Sequence, residues 1–263
     1  ELKKIAKKYN LKIISDSAQA PGAKYFRKYC GTLSDIGGIS LNYHKHINTG
    51  EGGVIFTNNK NLAFRMQLIR NHAETVVSQK KIKKINNLIG FNFRMGEIEA
   101  AIGIEQLKKL KTIVSDKQMV ASILSNGLKN LKGLKLQKVQ KNYTHAYYVF
   151  PMQIDEKILG AGREKIVKAL AAEGIQGLHT KITNVHRLPS FKNRIAYGNQ
   201  GLPWKFNKKK YHTYKNVSCP IAEDLLDKKY MGILLCSFNF SKKDAQKIVA
   251  VFKKVWDQIH LLK

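Results

Sequence analysis

Cysteine, arginine and acidic residues are all scarce in this chain of 263 residues. Its three cysteines, Cys30, Cys219 and Cys236, are too few and too scattered for a disulfide framework or a CxxC metal site. They read as reduced structural thiols. No apolar run approaches the roughly 18 residues of a spanning helix, and no basic segment leads into a short apolar one as in a secretory signal. Those absences predict a cytoplasmic protein with no membrane partner. There is also no GxSxG elbow, no P-loop, no internal repeat and no low-complexity linker. What is present is apolar material, 43% hydrophobic and 9% aromatic, enough to bury a sizeable core. The length fits one large domain or two smaller ones.

The shortage of acid leaves 18 Asp+Glu against 47 Lys+Arg, a formal net charge of +29. Such a balance can mark a nucleic-acid footprint. Yet only seven of the basic residues are Arg, and specific readout of phosphates and bases favours the planar guanidinium over the point charge of Lys. The lysines are spread in small groups: Lys3/Lys4/Lys7/Lys8, Lys80–Lys84 and Lys208–Lys210. The last group stands beside Trp204, Phe206 and Tyr211, a local pairing of charge with stacking surface. Charge runs of this kind are usually solvated faces. The expectation is no nucleic-acid partner and a surface attractive to an anionic small substrate.

Along the chain, Leu2, Ile5, Ala6 and Tyr9 recur at helical spacing, Asn10 closes that helix, and Leu11–Ser15 reads as a short buried strand. A helix running straight into an apolar strand is the second half of an α/β repeat. Glu1 is neither an initiator Met nor preceded by a capping residue, so the sequence reads as the C-terminal part of a longer protein. Gly38–Leu41 and Val54–Thr57 predict strands; Asn61–Arg70 and Glu97–Lys111 predict helices, the second with Ile98, Ala101, Ile104, Leu107 and Leu110 on one face. The pattern loosens around Asn126–Gly133. A strand (Tyr147–Ile154), a helix (Arg163–Glu173), a short strand (Ile175–Leu178) and an irregular stretch to about Cys219 follow. Ile233–Phe240 reads as an apolar strand. Ala245, Ile248, Val249, Phe252, Val255, Trp256 and Ile259 then keep the 3.6-residue period behind a capping-box pattern at Ser241–Asp244. The expected division is a parallel α/β layer over 1–125 and a smaller α+β domain over 126–263.

The chemistry concentrates in two neighbouring stretches, Ser15–Ala23 and Ser34–Gly53. Asp16 ends a predicted strand, where open α/β sheets place their ligand crevices. Ser40 and Lys45 follow the next strand, and Thr49–Gly53 forms a turn-rich loop. A carboxylate, a lysine and a hydroxyl at one sheet edge fit pyridoxal phosphate: an amine for its aldehyde, an acid for its ring nitrogen, a hydroxyl for its phosphate. His44 and His46 flank Lys45, but no third ligand accompanies them, so no metal site is predicted.

These stretches resemble the DegT/DnrJ/EryC1/StrS family of sugar aminotransferases, whose sequences read approximately DxAQxxGA, SxxxxK and TGEGG. Here those are Asp16–Ala23, Ser40–Lys45 and Thr49–Gly53. A GxNxRM block stands at Gly90–Met95 with Ala100-Ala101 behind it, and Cys219-Pro220-Ile221-Ala222-Glu223 and Phe252–Trp256 are similar to the family's tail. The resemblance runs over nearly the whole chain. It implies an incomplete fold-type-I, aspartate-aminotransferase-like large domain with an α/β/α sheet, followed by a smaller C-terminal α+β domain. It also implies roles. Lys45 is the catalytic lysine that binds the cofactor aldehyde and later shuttles a proton. Asp16 keeps the pyridine nitrogen protonated, Gln19 approaches the phenolic oxygen, and Ser40 meets the phosphate. Asn92 reaches the phosphate of a neighbouring subunit, hence a homodimer with shared active sites. His186, in VHRLP, matches substrate-contacting histidines.

The implied activity is transfer of an amino group from glutamate or glutamine to a keto-sugar, nucleotide-linked, in polysaccharide or secondary-metabolite biosynthesis. Relatives with histidine in place of the lysine are keto-sugar dehydratases; Lys45 favours transamination here. A dehydratase, a cyclitol aminotransferase, a non-catalytic scaffold-retaining regulator and a basic nucleic-acid module are the rival readings. Family members are longer, and their first portion carries a further phosphate-binding turn and the aromatic that stacks on the ring. The expectation is poor cofactor affinity for this stretch alone.

Overall fold

The computed structural model describes residues 1–74, 88–206 and 217–262. The lysine groups at 80–84 and 208–210, and Tyr211 beside the latter, lie outside the described residues. By contact the chain forms two compact units. The first takes Glu1–Ser122, Lys138–Tyr148 and Leu235–Lys242; the second takes Ile123–Gln137, Val149–Leu234 and Lys243–Lys263. The division expected after residue 125 falls inside one long helix, and two later segments return to the first unit.

The first unit opens with α1 (Leu2–Lys8). Asn10, in the left-handed region at φ 51°, ends it, and the N–H of Leu11 turns back to the Ala6 carbonyl. That cap delays β1 to Ile14–Asp16, later than the run of apolar residues suggests. A hairpin of β2 (Lys24–Tyr25) and β3 (Lys28–Tyr29) follows, then β4 (Ile36–Ser40) and β5 (Gly53–Phe56). The sheet order is β1-β4-β5, with β1 and β4 parallel and β5 antiparallel. The expected parallel layer is therefore mixed, and the loop joining β4 to β5 returns to the edge it left. α2 (Lys60–Arg70) is capped by Asn59, whose side chain accepts from the N–H groups of Asn61 and Leu62.

α3 runs from Glu97 to Leu128, well past the expected end at Lys111. Its first half leaves Ile98, Ile104 and Leu107 at least 59% exposed, while Val114, Val120, Ala121, Leu124 and Leu128 are buried. Gly127 makes the sequence look helix-breaking there, since a mid-helix glycine costs about 1 kcal/mol. The helix keeps it because an added Cβ would lie 2.5 Å from the Val249 side chain.

The second unit holds an antiparallel sheet, β6-β7-β9-β8, of β6 (Leu134–Leu136), β7 (Phe150–Ile154), β8 (Leu178–His179) and β9 (Tyr230–Ile233). Between β7 and β8 stand α4 (Glu156–Leu159) and α5 (Arg163–Ala172). Between β8 and β9 stand α6 (Pro189–Asn193) and α7 (Pro220–Asp224). α8 (Lys242–Asp257) closes the unit. Ala245, Ile248, Phe252, Val255 and Trp256 of α8 are buried, as the period predicts, and the indole N–H of Trp256 donates to the Lys132 carbonyl at 2.9 Å. Fully burying a side chain such as Phe252 is worth about 1.5–3 kcal/mol.

Two strand expectations fail for identifiable reasons. Tyr147 has φ 56°, closed to a strand, so β7 begins at Phe150. The apolar run Ile233–Phe240 is not a strand, because only its first residue belongs to β9. The rest leaves the sheet and buries Leu235 in the first unit. An apolar run signals burial and does not say whether the burial is in a sheet.

Candidate active site

Parallel pairing decides where the polar residues collect. β1 and β4 run the same way with Asp16 opposite Gly38, so Asp16 at the end of β1 and Ser40 at the end of β4 reach one edge of the sheet. Antiparallel β5 sets Gly53 opposite Ser40 and brings the Thr49–Gly53 turn to the same edge. A cavity of about 390 Å³ opens there, lined by Asp16, Ala18, Gly38, Ser40 and Gly53 among others. One carboxylate oxygen of Asp16 accepts the Ala18 N–H at 3.0 Å, and no cation among the described residues forms an ion pair with it. Ser40 Oγ accepts the Asn42 N–H at 3.2 Å, a turn bond that leaves its proton to give.

The loop from Leu41 to Gly52 is closed at its neck by Leu41 N–H to Gly52 O and Thr49 N–H to Leu41 O, both 2.9 Å. Lys45 sits within it, its N–H turned back to Asn42 O at 3.0 Å. The Lys45 ammonium lies over the Tyr148 ring, 4.6 Å from the centroid, and has no carboxylate partner among the described residues. Its neighbour His46 is buried, with Nε2 2.8 Å from Ala146 O. A carbonyl can only accept, so Nε2 carries the proton and the buried Nδ1 has no partner among the described residues. Burial pushes the His46 pKa down to about 4, which makes the ring neutral at pH 7. Among the described residues no group of three His, Cys, Asp or Glu could hold a metal ion.

A second amine, this one buried, stands in the same unit. Lys117 donates to the Phe238 carbonyl at 2.6 Å, and burial lowers its pKa. Cys236, within reach of the charges of both Lys117 and Lys45, has its thiol pushed up to about 12 by burial.

The remaining predicted residues stand elsewhere. Gln19 is exposed in the turn closed by Ala20 N–H to Ser17 O, with a hairpin rather than a helix after it, and like Lys45 it does not line the cavity. Asn92 is exposed and bridges to Asn71, whose side chain accepts from Arg94 at 2.7 Å. Gly90, ahead of it, is required by close approach: a Cβ would fall 2.1 Å from the Ala73 nitrogen. His186 belongs to the second unit, its Nε2 2.7 Å from Glu223. The Cys219 N–H, His186 and Arg187 hold the Glu223 carboxyl down at about 2. Glu223, Arg187 and Asp227 were not singled out for this cluster; the VHRLP and CPIAE blocks were the only sequence signal. Tyr148 and His46 were also missed, one inside an apparent strand and the other weighed only as a metal ligand.

A carboxylate and a hydroxyl stand at the carboxyl edge of this sheet, followed by a lysine that forms no ion pair among the described residues. The DegT/DnrJ/EryC1/StrS aminotransferase family matches residues 1–234, and the chain belongs to that family. It is 36% identical over 149 residues to GDP-perosamine synthase of Escherichia coli O157:H7, covering 57% of this chain and 39% of that protein. It is 28% identical to the uncharacterized protein MJ1066 of Methanocaldococcus jannaschii over 89% of this chain and 61% of that one. Helicobacter pylori PseC, an aminotransferase involved in pseudoaminic acid biosynthesis, shares the fold with a TM-score of 0.76 at 22% identity, covering 97% of this chain and 62% of that structure. The fold-type-I architecture implied by the resemblance is thus the fold of this chain. The chain spans between 39% and 61% of the length of the two curated relatives. Among the described residues no helix is long and apolar enough to cross a membrane.

Proposed function

We propose that this chain carries the cofactor lysine of a pyridoxal-phosphate-dependent aminotransferase. The enzyme moves an amino group from glutamate or glutamine to a nucleotide-linked keto-sugar in the cytoplasm, as a homodimer with shared sites. The observation that carries the reading is the shared sheet edge. Asp16 and Ser40 line one cavity there, and the loop leaving Ser40 bears an amine that no carboxylate holds among the described residues. That donor set suits the cofactor, because an acid free of cations and an amine free of acids are what a pyridine nitrogen and an aldehyde require.

When bound, pyridoxal phosphate supplies an electron-accepting ring and an aldehyde that takes up amines. The residues of this chain supply the rest. Asp16 holds a proton on the ring nitrogen, Gln19 donates to the phenolic oxygen, and Ser40 gives its hydroxyl proton to the phosphate. Lys45 would hold the aldehyde through its amine and, when free, would move a proton as a general base. Asn92 contacts the phosphate held by the second copy, and His186 orients the substrate. The name of the perosamine synthase relative supports the nucleotide-sugar substrate. A cyclitol acceptor is the second reading. It is favoured by 29% identity over 76% of this chain to the L-glutamine:2-deoxy-scyllo-inosose aminotransferase of Streptoalloteichus tenebrarius.

The test is nitrogen transfer. Incubated with ¹⁵N-labelled glutamate or amide-labelled glutamine and a panel of nucleotide-linked keto-sugars, the protein yields an aminosugar carrying the label. Loss of water from the sugar with no nitrogen gained points to a dehydratase and refutes the proposal.

A further inference from the structure

Lys45 and Tyr148 are joined by more than proximity. Lys45 is adjacent to His46, and the His46 Nε2–H bond to Ala146 O, 2.8 Å and buried, ties the lysine's loop to the segment two residues ahead of Tyr148. That segment is held in turn. Gln118 donates to His145 O at 3.0 Å, the Tyr147 N–H donates to His145 Nδ1 at 2.8 Å, and the Cys236 N–H donates to Tyr148 O at 3.2 Å. Tyr147 is held at φ 56°, a conformation that a bulky residue keeps only when its surroundings impose it. The outcome is one ring face under one ammonium, at 4.6 Å.

We propose that the Tyr148 ring is the seat on which the Lys45 amine rests whenever it carries no other group, which makes Tyr148 a positioning residue for that lysine. The proposal rests on the reading of Lys45 as the cofactor lysine. The chemistry favours a ring over an acid here. A carboxylate would keep the amine in an ion pair, whereas the negative face of an aromatic ring attracts the charge and offers no atom to take its protons. The seat holds the ammonium in place and lets it go. Burial raises the Tyr148 phenol above its ordinary range, so the ring stays neutral beneath the cation.

The experiment reads the seat directly and without cofactor. In protein labelled with ¹³C at lysine Cε, the Lys45 signal, assigned by its loss in Lys45→Arg, is expected upfield of the other lysines because Cε carries the ammonium that lies over the ring. Tyr148→Phe keeps that shift and Tyr148→Leu abolishes it. Pentafluorophenylalanine at position 148 preserves the ring's size and reverses its charge distribution, so it moves the signal away even where the Leu variant fails to fold. An ordinary Lys45 shift in the unmodified protein, or one unchanged in both the Leu and pentafluoro variants, overturns the seat. A second readout is the rate at which pyridoxal phosphate followed by borohydride labels Lys45. About a tenfold slowing is expected in Tyr148→Leu, against less than twofold in Tyr148→Phe, and equal rates in all three overturn the positioning role. If Lys45 is never labelled, the proposed function fails, while the ¹³C shift still decides the seat.

Discussion

Both units bury an apolar core, and they differ in the polar groups buried with it. The second encloses an apolar core: Met152, Ile154, Ile166, Leu170, Met231, Ile233 and Phe252 are all at most 1% exposed. The first buries Ile47, Val120, Ala121 and Leu235 and, with them, Ser17, His46, Thr49 and Lys117; among the described residues the polar ones buried in the second are Arg163, Asn184 and Arg194. Apolar burial yields stability, and buried polar groups cost stability unless paired. The difference lies in which polar groups are enclosed: hydroxyls, an imidazole and an amine in the first unit, two guanidiniums and an amide in the second.

The largest effect that sharpens this contrast belongs to the second unit. Phe252→Ala empties the centre of α8 and is expected to destabilise by about 3–5 kcal/mol, measured by denaturant unfolding followed through Trp256, which packs at 5.7 Å on the lost ring. A loss below about 1 kcal/mol would break the contrast.

Next comes a pH effect expected to be larger in the first unit, because burial lowers the His46 pKa strongly and that of His179 in the second unit by less. The folded state holds His46 at about 4, below its model-peptide value of 6.5, so the unfolded chain takes up the proton first as pH falls. The stabilising contribution is complete above pH 6.5 and drains away between pH 6.5 and about 4, amounting to roughly 3 kcal/mol. Hydrogen exchange at pH 5 should show protection falling further in segments 41–49 and 143–148 than in β7 or α8. The Glu223 carboxyl of the second unit is depressed to about 2, so its own loss waits until pH falls below 4.5. Equal loss in both units, or none, would remove the distinction.

Gly127→Ala is a smaller effect with an informative sign. Helix propensity alone predicts a gain of about 1 kcal/mol, but the new Cβ would press on Val249, so a net loss of about 1–2 kcal/mol is expected. Smallest of all, Ile104→Gln on the exposed half of α3 should change the stability of the chain by less than about 0.5 kcal/mol. A large loss there would mean that this face is not free in solution.

What the sequence made legible follows the same line. The α8 stripe was readable because its period and its burial agree. Asp16 and Ser40 were readable because a strand end is a local feature and parallel pairing puts two such ends together. The extent of α3 past Lys111 was hidden, since Gly127 argues against a helix unless the partner across from it is known. Tyr148 and His46 were hidden for a related reason. Their meaning lies in a bond between residues 46 and 146 that no spacing records. The run Ile233–Phe240 misled because apolar residues look alike in a strand and in a buried loop.

The most direct test is covalent. Treated with pyridoxal phosphate, reduced with borohydride and digested, the protein should carry the pyridoxyl group on the peptide containing Lys45. That mark should vanish in Lys45→Ala. With 47 basic residues in the chain, a label scattered over many lysines and unchanged in that variant would contradict the account.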